Sequence, residues 1–309
     1  MKEKVLFIVN PSAGKGTGRK ILPEIKTLLT PYASISEVVL TEGKNHATEL
    51  VRNYKDNYPR ICGIGGDGTL NEIVNGFCDG DKNILGIIPV GSGNDLARTA
   101  GIRKELSTAF DIMLNSKNIR SVDVGVMDFK EYESECRIIR RFINSAGIGF
   151  DALVSDLIRK NKLFKGLPLY IFAVIEALFK YRVMTVTGTL DDNPVNGIKL
   201  LIAISNGKTY GGGIKVNPGA KMSDGYLDAC VIANLSIPQI IKDFPKFVKG
   251  QHGSIDGISL MKFRTADIQL DAPVYIHADG EVISYNTTQV KIRLAESKLN
   301  LVFSPEKAD

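Results

Sequence analysis

At 309 residues, 44% hydrophobic and 24% charged, the chain has ordinary globular composition and length enough for two domains, which excludes a single small module. A net charge of +5 is mildly basic and leaves open a solvated surface or a preference for acidic partners or an anionic membrane face. Cys62, Cys78, Cys136 and Cys230 stand far apart without metal-ligand spacing, the pattern of reduced core thiols in a cytoplasmic protein.

The run Val5–Val9, ending at Asn10-Pro11, reads as a buried strand, too short for a signal peptide. A glycine-rich turn and a helical stretch from near Gly18 toward Leu29 follow. Strand Ser36–Leu40 precedes Thr41-Glu42-Gly43 and helix His46–Tyr54; strand Ile61–Ile64 precedes a glycine loop and helix Leu70–Phe77; strand Ile84–Ile88 precedes Pro89–Asp95 and helix Leu96–Ala100. Four β-loop-α units predict a doubly wound parallel sheet, with every glycine-rich loop opening on one edge. This α/β nucleotide-binding domain is assigned to residues 1–122, and the last strand, about 299–309, is a candidate to return to it.

From about residue 120 the segments shorten: Ser121–Met127, Arg141–Ser145, Met184–Leu190, Ile198–Ser205, Leu227–Ala233, Ile268–Leu270, Val274–His277, Val290–Leu294 and Leu299–Phe303. They are β-branched and punctuated by Gly, Asn and Asp, which predicts a mainly antiparallel, sandwich-like β domain over 123–298. A helical island, Asp151–Tyr181, breaks near Gly166-Leu167-Pro168. Its apolar part, Leu167–Phe179, contains Glu176 and falls short of the ~20 residues of a spanning helix. No transmembrane segment is expected.

The densest chemical signal is Gly65-Gly66-Asp67-Gly68-Thr69-Leu70-Asn71-Glu72. Glycines let backbone N–H groups approach phosphate oxygens, and the helix that follows aims its positive end at the same place. A carboxylate beside a polyphosphate repels it unless a cation intervenes, so Asp67 implies Mg²⁺. Two dinucleotide-like patterns mislead: Gly63–Gly68 lies on the third unit and ends in the acid, and Gly147–Ala152 lies in the β-rich half. Asn10–Gly16 resembles a P-loop at Gly14-Lys15, but Val9 stands in the leading glycine's place and Gly16 in that of Ser or Thr.

Asn10–Gly14, Gly65–Glu72 and Pro89–Arg98, in that order, resemble the diacylglycerol kinase catalytic family in its soluble bacterial lipid-kinase branch. Downstream, Asn144–Asp151, Pro218-Gly219-Ala220, Asp224–Asp228 and Asp279-Gly280-Glu281 extend the likeness over nearly the whole chain. Ser92 stands where threonine is commoner and keeps the hydroxyl.

The resemblance implies ATP and Mg²⁺ as cofactors. ATP would contact Asn10, Pro11, Ser12, Ala13, Gly14 and Lys15, then Thr41, then Gly65, Gly66, Asp67, Gly68, Thr69, Leu70 and Asn71. Ser92, Asn94 and Asp95 would border the γ-phosphate. For Thr41, Asn94 and Asp95 a helix-capping role is the alternative. Asp279 or Glu281 would accept the proton of a lipid hydroxyl, with a plain two-acid hairpin as the alternative. Asp123, Lys221, Asp224 and Tyr226 would serve a metal, although an Asp-Gly turn explains the last three equally.

Arg159, Lys160, Lys162, Lys165, Lys180 and Arg182 surround Leu163-Phe164 and Leu167–Phe179, and Lys242–Lys249 is a second basic, aromatic stretch. Such surfaces suit peripheral contact with an anionic membrane; a core helix with a solvated basic face fits as well. His46, His252 and His277 show no metal or triad spacing. The expected activity is γ-phosphoryl transfer from ATP to a lipid hydroxyl, most simply diacylglycerol giving phosphatidic acid. Phosphatidylglycerol or a sphingoid base as acceptor, an NAD kinase, and a nucleotide-binding regulator without turnover are the alternatives. No nucleic-acid partner is expected, and a homodimer stays open.

Overall fold

The computed structural model describes residues 3–160 and 166–306. They form two compact units, one running to Val122 and resuming at Glu296, the other spanning Asp123–Ala295. The first carries β1 (Val5–Val9), α1 (Ala13–Lys20), α2 (Leu22–Leu29), β2 (Ser36–Leu40), α3 (His46–Tyr54), β3 (Arg60–Gly65), α4 (Asp67–Gly76), β4 (Ile84–Pro89), α5 (Asp95–Thr99), α6 (Leu106–Asn115) and β5 (Ile119–Val122). The second carries β6 (Gly125–Glu131), β7 (Arg137–Phe142), β8 (Ser145–Gly149), α7 (Phe150–Lys160), α8 (Gly166–Lys180), β9 (Met184–Leu190), β10 (Asn193–Pro194), β11 (Gly197–Ser205), β12 (Leu227–Ala233), α9 (Ile237–Lys249), β13 (Ile258–Phe263), β14 (Thr265–Ala278) and β15 (Glu281–Leu294). β16 (Leu299–Val302) belongs to the first unit again.

The first sheet runs β2-β1-β3-β4-β16-β5, parallel except for β5. Every residue of β1 is buried, as a central strand covered on both faces requires. Register pairs Val9 with Leu40 and Ile64, and Gly65 with Pro89. The loops after these strands therefore leave one edge together. α4 begins at Asp67, three residues earlier than the apolar pattern suggests, so the acid occupies its first turn. α6 and α9 were not expected from the sequence.

The second sheet is antiparallel, ordered β10-β9-β11-β8-β14-β15-β6-β7, with β12 beside β11 and β13 beside β12. One face buries Phe129, Phe142, Phe263, Ile148 and Ile276. Against the other pack Phe150, Leu153 and Val154 of α7, Ala173 and Ala177 of α8, and Ile240 of α9. The segment Ser121–Met127 is divided: β5 and β6 lie in different sheets. Ile268–Leu270 and Val274–His277 belong to one strand, whose register shifts between Gln269 and Val274. Lys162, Leu163, Phe164 and Lys165 lie outside the described residues. Among the described residues no helix is long and apolar enough to cross a membrane.

Candidate active site

In the first unit three loops converge. Asn10 Nδ2 donates to the Thr69 hydroxyl (2.9 Å), which ties the first motif to the glycine loop. Gly14, Lys15 and Gly16 hold left-handed angles inside α1, and a Cβ at Gly14 would stand 2.2 Å from the Val90 carbonyl. Only glycine permits that approach. Ser12 and Lys15 are exposed, while Pro11 and Ala13 are half-buried. The Thr41 N–H donates to the Val9 carbonyl (2.8 Å), which sets Thr41 beside Asn10 on the same edge. Glu72, inside the glycine motif, accepts the N–H groups of Asn45 (2.8 Å) and Ala47 (3.2 Å), locking the loop after β2 onto α4.

Gly66 and Gly91 stand backbone to backbone: a Cβ on Gly91 would lie 2.5 Å from Gly66 Cα. Asp67 then crosses to the third motif. Its Oδ2 accepts the N–H of Asn94 (2.7 Å) and its Oδ1 that of Asp95 (2.8 Å). A carboxylate on the first N–H groups of a helix is favourable both as a cap and against the helix dipole. Asp95 pairs with Arg98. Asn94 donates its amide to the Gly91 carbonyl (2.7 Å), which fixes its orientation. Its Oδ1 is buried and has no hydrogen-bond partner. The unmatched Asn94 amide oxygen and the carboxylate of Asp67, to which the Asn94 N–H is bonded, are hard oxygen donors of the kind Mg²⁺ would take. Leu70 and Asn71 are buried, and Leu70 packs under Gly63, so Leu70 supports the loop from the core. Ser92 is exposed. Lys104, which the sequence did not single out, reaches the Gly91 carbonyl (3.3 Å) and brings a cation to this loop.

In the second unit Asp279 and Gly280 form the two-residue turn between β14 and β15, both at positive φ (48° and 81°). Asp-Gly is the pair such a hairpin turn favours. The Asp279 carboxylate is buried and accepts three backbone N–H groups, from Ile143 (3.0 Å), Asn144 (2.8 Å) and Ser145 (3.0 Å). Its own N–H donates to the Ser145 carbonyl (2.7 Å). Glu281, the first residue of β15, is half-exposed. The two acids thus divide: Asp279 clamps the turn, and Glu281 is presented by it. Nearby, Asp156 is 2% exposed and accepts bonds from Arg159 (3.2 Å), Lys160 and the Tyr285 hydroxyl (3.1 Å). Burial pushes its carboxyl up, but these bonds outweigh burial and hold it below the ordinary value. Hydrogen bonding to Asp156 raises Arg159, and the charge of Glu281 adds to that.

The expected metal residues of this unit also meet. Asp123 accepts the Gly225 N–H (2.8 Å) and donates its own N–H to the Met222 carbonyl (2.6 Å), so it closes on the turn holding Lys221, Asp224 and Tyr226. Asp224 accepts the Tyr226 N–H (3.2 Å) and the Lys262 ammonium. Arg264 covers the Tyr226 ring at 4.6 Å. Since the exposed Lys262 ammonium already balances Asp224, a metal would have to displace it, and these residues do not fit one as they stand.

The chain matches the diacylglycerol kinase catalytic domain over residues 4–127 and the YegS C-terminal NAD kinase beta sandwich-like domain over residues 144–302. A diacylglycerol kinase of Staphylococcus saprophyticus is 27% identical over 91% of this chain and 90% of its own. The crystal structure of a diacylglycerol kinase from Bacillus anthracis superposes with a TM-score of 0.76 at 25% identity, covering 98% of both chains. Yeast NADH kinase shares the fold alone, with a TM-score of 0.59 at 12% identity. The two matches together span most of the chain, and it belongs to the family that joins a diacylglycerol kinase catalytic domain to a YegS C-terminal domain.

Proposed function

We propose that this kinase-family protein transfers the γ-phosphoryl group of ATP to the hydroxyl of a membrane lipid, with diacylglycerol as the leading acceptor. The observation that carries the reading is the paired backbone at Gly66 and Gly91, bridged by Asp67 to the N-terminus of α5. Backbone N–H groups of the glycine loop and of Gly14–Gly16 hold the phosphates, and Lys15 and Lys104 add positive charge. Mg²⁺, held through Asp67 and Asn94, supplies charge neutralisation when bound. Positioning and electrostatics supply most of the rate in such transfers. Glu281 receives the proton of the lipid hydroxyl, and Asp279 keeps the turn beneath it rigid.

The lipid is met at an anionic membrane surface. Ile171, Phe172, Ile175 and Phe179 of α8 are exposed, Phe179 by 78%. Ile171, Ile175 and Phe179 recur at four-residue spacing and share one helix face. Lys180, though bonded to Glu176, and Arg182 stand at the end of that helix. An apolar stripe with cations at its end matches the boundary between acyl chains and anionic headgroups. Incubating the protein with labelled ATP and Mg²⁺ against diacylglycerol, phosphatidylglycerol, sphingosine and NAD tests the acceptor. Labelled phosphatidic acid supports the reading; labelled NADP, or no transfer to any acceptor, overturns it.

A further inference from the structure

β8 and β14 run side by side with Gly147 opposite His277. A Cβ at Gly147 would lie 1.9 Å from Asp151 Oδ2, so the bare glycine is what lets the Asp151 carboxylate reach across the strand from the first turn of α7. That oxygen accepts from His277 Nε2 (3.2 Å) and from the Tyr210 hydroxyl (3.3 Å). His277 is 1% and Asp151 4% exposed, and a buried carboxylate needs such donors. The other ring nitrogen, Nδ1, faces the Gly280 N–H at 3.4 Å. A peptide N–H only donates, so Nδ1 is the acceptor and Nε2 carries the proton. A hydrogen-bonded chain thus runs from Asp151 through His277 to Gly280, one peptide before Glu281.

We propose that His277 is a positioning residue for Glu281, oriented by Asp151. This rests on reading Glu281 as the proton acceptor. Asp279 holds the turn from the β8 side, and His277 holds the peptide that enters β15. Together they fix where the Glu281 carboxylate begins, and a displacement near 1 Å at a reacting group costs on the order of 100-fold in rate. The Gly147-x-Gly149-x-Asp151 pattern thereby acquires a purpose unrelated to dinucleotides: it clears the space in which the pair forms.

Two substitutions separate the bonds of the ring. H277N keeps an oxygen near the Nδ1 position for the Gly280 N–H, whereas H277Q reaches Asp151 and leaves Gly280 without an acceptor. The rate of phosphoryl transfer to diacylglycerol, KM for ATP and the melting temperature are measured for both, with D151N and E281Q alongside. H277Q is expected to lower kcat about 30-fold or more with KM for ATP within about twofold, and H277N to restore most of it. D151N, which keeps the shape but loosens the ring, is expected to fall between them. Equal losses in H277N and H277Q, or losses that track melting temperature across the set, would overturn the proposal. If E281Q turns over like the wild type, the reading of Glu281 fails; if E281Q is inactive and H277Q is normal, only the role of His277 fails.

Discussion

Asp67 and Asn94, 27 residues apart in the chain, are joined by a 2.7 Å hydrogen bond from the Asn94 N–H to the Asp67 carboxylate. Because the neighbouring Asp95 N–H uses the other oxygen, this acid fastens two glycine loops together, in addition to the metal role proposed for it. D67N should therefore abolish transfer and also lower stability by about 1–3 kcal/mol. Urea unfolding alongside the activity assay checks both; full stability with lost activity would limit Asp67 to the metal.

Asp279 is expected to behave oppositely to Glu281 in stability. D279N turns an amide donor toward N–H groups that now meet a carboxylate, and should cost about 2–4 kcal/mol. E281Q, at a half-exposed position, should leave the melting temperature near that of the wild type. Calorimetry on the two variants tests the division; equal melting temperatures would remove it.

Asp228 supplies a pH signature. Burial raises its carboxyl above the ordinary value and Asp224 adds to this, while Lys262 opposes; its Oδ2 is buried without a hydrogen-bond partner. A raised folded-state value favours the protonated acid, so its destabilising effect is full at neutral pH, fades as pH falls through the raised folded-state value and is gone below the ordinary carboxylate value. D228N should raise the melting temperature at pH 7.5, with the gain shrinking toward pH 4. A gain independent of pH would contradict this.

Lys262 gives a metal test. With its ammonium on Asp224, the nucleotide-free protein should melt at the same temperature in EDTA and in Mg²⁺. K262M should melt lower and recover partly with Mg²⁺. A wild-type protein destabilised by EDTA would mean that a metal, and not Lys262, holds the turn.

Replacing Ile175 and Phe179 by serine should weaken sedimentation with phosphatidylglycerol-containing vesicles several-fold and leave the fold unchanged. Unaltered sedimentation would move membrane contact away from α8.

The parallel sheet was legible because its central strands are covered on both faces and read as unbroken apolar runs: Val5–Val9 could be little else. The glycine loops were legible because backbone approach leaves no substitute for glycine. Ser121–Met127 misled because an apolar run does not record a change of sheet at Asp123. The capping by Asp67, the clamp by Asp279 and the bond from His277 to Asp151 join residues 27, up to 136 and 126 positions apart. No local pattern carries them. Lone histidines show no spacing, so His277 emerged only from its register opposite Gly147.

The rate of label transfer from ATP to diacylglycerol in anionic micelles with Mg²⁺, wild type against E281Q, decides whether this protein is a lipid kinase with Glu281 as its proton acceptor. Labelled phosphatidic acid is expected from the wild type and at least about 100-fold less from E281Q. No labelled lipid from the wild type, or equal rates from the two, would contradict this reading.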